Sequence, residues 1–301
     1  MTDRQIIAMD FGGSHVTAGS FLWTGERYEL KSSKRIFCDA RLEKEELLAV
    51  WEAFINELKS NQGLIQLAIA FPAPFDYDNG ICLIKEQDKF RDLFGVNLRK
   101  ELSKRLGLLV HDILFMNDAQ AFLTGECVFG KLNGFTKVLG LTLGTGLGSA
   151  LKTDNMIVDS GLWSYPFKEG IAEDYLSAGW FIRWMAIEKQ VHIKGVKELV
   201  EKEEYSESAK ESFFIFANHL AEFIESIVFQ YHPQIILLSG NICKANSYFL
   251  NDLRDILFYK KVPIAILLSD LREKAALLGA ATLFSKDIIV EDLKKPLWQG
   301  A

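Results

Sequence analysis

Twice in this chain a short apolar strand runs into a glycine turn and comes back as a second strand. The first copy is Arg4 to Asp10, the turn DFGGS, and a strand from Val16 to Trp23. The second is Thr136 to Thr142, the turn LGTGLG, and a strand starting at Ser149. Each copy leads into further apolar runs separated by helical patterns. In the first half, Tyr28 to Phe37 alternates as an antiparallel partner should, and Leu47, Trp51, Phe54, Ile55 and Leu58 fall on one helical face. Leu64 to Phe71 is almost continuously apolar, which predicts a strand buried on both faces. In the second half, Phe213, Phe216, Leu220, Ile224, Ile227 and Tyr231 stripe a long helix. Gln234 to Leu238 and Val262 to Leu268 read as strands, Glu273 to Leu283 as a helix, and Phe167 to Val200 as mostly helical with breaks at glycines. A chain of 301 residues exceeds one comfortable core, and ~150 residues per domain gives two. Both observations point to two α/β domains. The expected division is residues 1–116 and 117–284, with a C-terminal helix at about 285–301 as a candidate completion of the first.

Between the two copies lies ILFMNDAQAFLTG, residues 113–125. Its apolar run ends in Asn117 and Asp118, and Ala121, Phe122, Gly125 and Phe129 then recur at helical spacing. A buried strand thus delivers two polar side chains to a helix start at the carboxyl end of a sheet, where open α/β sheets bind ligands. Either residue would also serve as an ordinary N-cap, and this segment by itself leaves both readings open. The glycine turns raise the same question. Backbone N–H groups free of side chains form a concavity that favours an anion, whereas a hairpin glycine often does no more than supply a positive φ. Thr145 adds a hydroxyl between Gly144 and Gly146, and Asp10 stands where a magnesium ion could be reached through water. Neither turn has the GK[ST] of a Walker loop or opens a helix as a dinucleotide fingerprint does.

Composition narrows the partners. With 34 basic and 40 acidic residues the net charge is −6, and no basic run occurs, which argues against nucleic acid and a membrane surface. No apolar run approaches the ~20 residues that cross a bilayer, and MTDRQIIAMD enters a strand without a leader-like segment. Cys38, Cys82, Cys127 and Cys243 are far apart and form no CxxC, so reduced thiols in a cytoplasmic protein and no cysteine zinc site are expected. Of the histidines, His15, His192 and His232 lack a partner at ligand spacing, and His219 reads as a packed residue of the long helix.

Two glycine turns in duplicated halves, with an Asp between them at a strand end, resemble the phosphate-binding hairpins of the hexokinase, actin and heat-shock ATPase superfamily. The chain resembles more closely the ROK (repressor, open reading frame, kinase) family of sugar kinases. DFGGSHVTAGSF, AFPAP, MNDAQAFLTGE, LTLGTGLGSAL, IILLSGNI and AALLGAATL fall in that family's order and spacing. The resemblance implies two ribonuclease-H-like domains flanking a cleft, domain closure that excludes water, and phosphoryl transfer from ATP, with Mg2+, to a sugar hydroxyl. It implies Asp118 as general base, ATP phosphates held at Gly12, Gly13, Ser14, Gly144, Thr145 and Gly146, and adenosine against Gly240 and Asn241. Sugar contacts would come from Ala73, Asn117, Asp118 and Glu173. The family's Glu-x-Gly-His segment and its zinc-binding cysteine loop are replaced by SGLWSYPFKEGIAEDYLS, so Leu162 and Tyr165 stand where the Glu and His would be. The Pro-Asn-Leu asparagine is missing too, and Gln87 and Asp88 are the nearest polar residues. The expected function is sugar phosphorylation, with a homo-oligomer an open option and a modified sugar favoured by the aromatic surface. A catalytically silent sugar or nucleotide sensor is the rival reading. A sugar-responsive repressor would need a DNA-binding helix-turn-helix, and only three residues precede Arg4.

Overall fold

In the computed structural model, which describes residues 4–12, 14–60, 63–85, 89–132 and 134–289, the opening hairpin is formed by β1 (Arg4–Phe11) and β2 (His15–Trp23). Their antiparallel register sets Asp10 opposite Thr17 and Phe11 opposite Val16. β3 (Tyr28–Phe37) continues antiparallel on β2, with an irregularity between Ser20 and Phe21. Helix α1 (Lys44–Leu58) buries Leu47, Leu48, Trp51, Phe54, Ile55 and Leu58, the face its periodicity marks out. β4 (Leu64–Phe71) then lies parallel to β1. A small ribbon, β5 (Phe75–Asp76) with β6 (Ile81–Cys82), precedes α2 (Leu98–Leu106). β7 (Ile113–Asn117) pairs parallel with β4 and runs directly into α3 (Asp118–Phe129). Asp10, Ala70, Phe71 and Asn117 therefore cluster at the carboxyl ends of three adjacent parallel strands.

The same order recurs downstream. β8 (Lys137–Leu143), β9 (Leu147–Thr153) and β10 (Met156–Asp159) form an antiparallel meander. After a ribbon, β11 (Pro166–Phe167) with β12 (Gly170–Ile171), come α4 (Ala172–Leu176), α5 (Ala178–Glu188), α6 (Val196–Glu201) and α7 (Ser206–Tyr231). β13 (Ile235–Ser239) lies parallel beside β8, and α8 (Leu250–Tyr259) leads to β14 (Ala265–Leu268), parallel to β13. α9 (Lys274–Ala281) and β15 (Ile288–Ile289) close the described chain. The strand orders are β3-β2-β1-β4-β7 and β10-β9-β8-β13-β14, with β15 added beside β3 in the first sheet. Each is a ribonuclease-H-like sheet, so the duplicated theme extends to the topology of both halves.

The chain groups into two units, Met1–Asn133 with Glu273–Ala301, and Gly134–Arg272. The sequence patterns place the boundary after Met116; the contacts keep α3 with the first unit, because it packs closely on α9. A Cβ on Gly125 would stand 2.0 Å from the Ala275 carbonyl oxygen, and one on Gly279 would stand 1.7 Å from that of Ala121. Only glycine allows backbones to approach so closely. Of the C-terminal helix expected at about 285–301, only residues 285–289 are described, and they are not helical. Instead β15 pairs parallel with the start of β3, and residues 290–301 lie outside the described chain.

In the second unit α7 places Phe213, Phe216, Leu220, Ile224 and Ile227 in the core, each with no solvent exposure. The stretch Glu203–Tyr231 is long and apolar enough to cross a bilayer, against the expectation that no such run exists, but its apolar face is the centre of this core. The expectation of a mostly helical Phe167–Val200 holds from α4 onward. Ahead of it the β11–β12 ribbon intervenes, because Gly170 supplies its return strand next to the positive-φ Lys168.

Candidate active site

The junction of β7 and α3 separates the two roles that the sequence left open. Asn117 is the N-cap, with extended φ/ψ and a side-chain oxygen that accepts from the Gln120 N–H at 3.0 Å. Its amide nitrogen donates to the Tyr77 hydroxyl at 3.2 Å, and that hydroxyl donates to the Phe71 carbonyl at the end of β4, 3.0 Å away. Asn117 is thus buried and bonded on both sides. Asp118 is the first helical residue and stays half-buried, one oxygen accepting from the Ala119 N–H at 2.8 Å. With capping left to Asn117, the Asp118 carboxylate retains lone pairs for a ligand proton.

Asp10, at the end of β1, lies within electrostatic reach of Asp118. Burial, with the Asp118 carboxylate and to a lesser degree Glu273 adding to it, pushes Asp10 up to about 7; Arg35 opposes them. Two carboxylates sharing a poorly solvated site resist double ionisation, and such a pair is the donor chemistry that suits a hard divalent cation. Arg35 reaches this group from β3, donating to the Thr17 hydroxyl at 3.1 Å and pairing with Glu273, just ahead of α9, at 3.4 Å. Thr17, Arg35, Glu273 and Tyr77 had no sequence signal beyond ordinary strand alternation, a helix start and a turn-rich segment.

In the first glycine turn, Gly12 N–H bonds the His15 carbonyl at 2.9 Å, and the Ser14 carbonyl accepts from the Cys38 N–H at 3.0 Å. The Ser14 hydroxyl and His15 Nδ1 lie 2.8 Å apart. Burial and the Arg35 charge hold the His15 imidazole below its usual pKa, Glu273 opposing them. Gly13, Gln87 and Asp88, all expected at the site, lie outside the described residues. Ala73 precedes Pro74 in the segment after β4, whose carbonyl at Pro74 accepts from the Leu83 N–H at 3.1 Å.

The second unit gathers Gly144, Thr145, Gly146, Gly240 and Asn241. The turn between β8 and β9 is closed by Gly144 N–H to the Gly146 carbonyl at 3.0 Å. Gly240, at φ +96°, backs onto the end of β8; a Cβ there would lie 2.3 Å from the Leu143 carbonyl oxygen. Gly240 and Asn241 are exposed, and the Asn241 side chain does not cap the short helix that comes next. Glu173, on α4, turns to the glycine turn, accepting from the Leu147 N–H at 2.9 Å. Leu162 is buried in the core, and the Tyr165 ring packs edge-on against Phe223 at a centroid distance of 5.9 Å. His219 packs between Tyr175 and Trp180 at 5.2 Å from each, and burial lowers its pKa to about 4, so it is a neutral packed side chain. Among the described residues no group of three or more His, Cys, Asp and Glu is arranged to hold a metal, and all four cysteines are buried free thiols.

Comparisons with known proteins identify the family and the fold. The pattern of the ROK family matches residues 6–161 and 168–287. The chain is 24% identical to a glucokinase of Thermotoga maritima, over 96% of this chain and 99% of that protein. In fold it is similar to a ROK family glucokinase from Streptomyces griseus, solved with glucose and AMPPNP, at TM-score 0.73 and 19% identity, covering 93% of this chain and 98% of that one. It is also similar to a putative N-acetylmannosamine kinase from Listeria monocytogenes, at TM-score 0.76 and 20% identity, covering 92% and 97%.

Proposed function

The chain belongs to the ROK family as an ATP-dependent sugar kinase, and from that premise we propose that Asp118 is the base that takes the proton from the attacking sugar hydroxyl. The observation that carries this assignment is the division of labour at the β7–α3 junction: Asn117 caps the helix, and Asp118 is left with an acceptor oxygen at the carboxyl end of the sheet. A carboxylate within hydrogen-bond reach of a hydroxyl can accept its proton as the bond to phosphorus forms. The remainder of phosphoryl transfer is alignment and charge neutralisation.

The γ-phosphoryl group would pass from ATP to the hydroxyl oxygen, with ADP as the leaving group. In the second unit the turn at Gly144–Gly146 would hold phosphate through backbone N–H groups and the Thr145 hydroxyl; in the first unit the turn at Gly12, Gly13 and Ser14 is the candidate for the same chemistry. The nucleoside would rest against Gly240 and Asn241, where a side chain at position 240 would collide with β8. Asp10 would hold magnesium through water, standing at the carboxyl end of the first strand with the Asp118 carboxylate in electrostatic reach; magnesium would supply charge neutralisation on the phosphates. Ala73, Asn117, Glu173 and Tyr165 are the remaining candidates for sugar contacts, Tyr165 through whatever edge its packing on Phe223 leaves open.

The test is ADP release with magnesium and ATP across hexoses, amino sugars, N-acetylated sugars and glucosides. Turnover of at least one sugar is expected. Plain glucose should be a poor acceptor, because position 162 offers only a buried leucine where a polar contact would lie, and a hydroxyl desolvated without a hydrogen-bond partner weakens binding. ATP binding without turnover of any sugar would favour the silent sensor, whose case rests on that same buried Leu162.

A further inference from the structure

One carboxylate holds the glycine turn of the second unit. Glu173 places Oε2 2.9 Å from the Leu147 nitrogen, at the far end of the turn, and a Cβ on Gly146 would lie 2.5 Å from that same oxygen. The near end is tied by α5, whose Ala178 N–H donates to the Gly144 carbonyl at 2.7 Å. With Gly144 N–H closing the turn on itself, the Thr145 and Gly146 N–H groups and the Thr145 hydroxyl are the donors without a protein acceptor among the described residues. They are the groups that a phosphate could use. Charge alone argues against a carboxylate beside such a place, so what Glu173 contributes is geometry. A charge-assisted bond to the Leu147 N–H fixes the path of the turn, and α4 holds the side chain from a helix start anchored by Ala172 N–H to the Tyr165 carbonyl at 2.9 Å. Glu173 Oε1 has no protein donor among the described residues.

We infer that Glu173 is a positioning residue for the phosphate-binding turn, a role separate from the sugar contact already proposed for it. This rests on the reading of the turn as a holder of ATP phosphates. The variants are chosen to separate its two oxygens. Glu173→Gln keeps an oxygen for the Leu147 N–H but turns the other position from acceptor to donor. Glu173→Ala removes both. Gly146→Ala leaves the carboxylate intact but drives a methyl group into it, dislodging it from Leu147.

Binding of AMP-PNP with magnesium to the full chain is measured by calorimetry, and KM for the best acceptor in the sugar panel by ADP release. Glu173→Ala and Gly146→Ala should each weaken AMP-PNP about tenfold, the scale of one hydrogen bond to a charged group. The double variant should be no worse than the single ones, since both act on one contact. Glu173→Gln should bind AMP-PNP within about twofold of wild type yet raise the sugar KM about tenfold. AMP-PNP affinity unchanged in both Glu173→Ala and Gly146→Ala overturns the positioning role. AMP-PNP binding as weak in Glu173→Gln as in Glu173→Ala would overturn it as well, since the amide keeps an oxygen for the Leu147 N–H. If Glu173→Ala fails to fold, Gly146→Ala and Glu173→Gln still decide the matter. A wild-type chain that does not bind AMP-PNP would mean instead that the kinase reading itself is wrong.

Discussion

Asn117 and Asp118 differ by one functional group and do different work. Replacing Asp118 by Asn keeps its size and leaves the Asn117 cap in place, but removes the proton acceptor. Sugar-dependent ADP release should fall by about 10²–10⁴ in kcat, the range for loss of a general base, with AMP-PNP affinity nearly unchanged; near-normal turnover would remove Asp118 from the mechanism. Asp10 carries a different signature. Its pKa rises from 3.8 to about 7 on folding, so the folded state holds this proton more tightly than the unfolded chain does. The stability so gained is full below about pH 4 and is lost as pH rises through about 7. Asp10→Asn cannot titrate, so in magnesium-free buffer it should melt above wild type at pH 8, and the gap should narrow toward pH 4. A gap that stays constant across thermal scans over that range would show that Asp10 is not perturbed. Asp118 was legible in the sequence because one strand end and one helix start are local. Arg35 and Glu273 were not, because they reach Asp10 from β3 and from the loop before α9, and no spacing in the chain links them.

Helices α3 and α9 show how an element is fixed by the residues it lacks. Each contributes a glycine where the other contributes a backbone carbonyl: Gly125 against Ala275, and Gly279 against Ala121. Gly279→Ala should therefore cost at least the 1–3 kcal/mol of an overpacked core, since the obstacle is a main-chain oxygen that cannot rotate away. Denaturant melting reads this directly, and a loss below about 0.5 kcal/mol, ordinary for a tolerated surface change, would mean that the helices can slide apart. The small apolar face of α3 could be seen in Ala121 and Gly125, though its partner could not. The two glycine hairpins were legible for a related reason: strand, turn and return strand are contiguous, and the alternation in β2 and β3 carries the pairing. The β11–β12 ribbon was hidden because each of its strands is only two residues long. A period cannot declare itself over so short a run.

At the scale of the whole molecule, the duplicated theme was the most legible feature. It extends to two sheets of identical strand order, and only the added edge strand β15 breaks the match. How the second half manages without the family's cysteine loop is a matter of packing: Phe167 packs edge-on against Phe223 and Tyr175, and Leu162 sits in the same core. Elemental analysis should accordingly find no stoichiometric zinc, and chelation should stop turnover only until magnesium is restored. Stoichiometric zinc whose removal unfolds the chain would refute this. The first unit has one more property: it is discontinuous, its sheet and α3 completed by α9 and β15 from beyond residue 272. The second unit is one uninterrupted stretch. A chain emerging from the ribosome therefore begins the first unit early and cannot finish it until nearly all the rest has been made, while the second unit can already close on itself. A chain released after Arg272 should show a protease-resistant second unit beside a first unit that is readily digested. Equal resistance in both would mean that α9 is dispensable. The unit that carries Asp10 and Asp118 is thus the last to mature, so an unfinished chain holds neither carboxylate in its folded place.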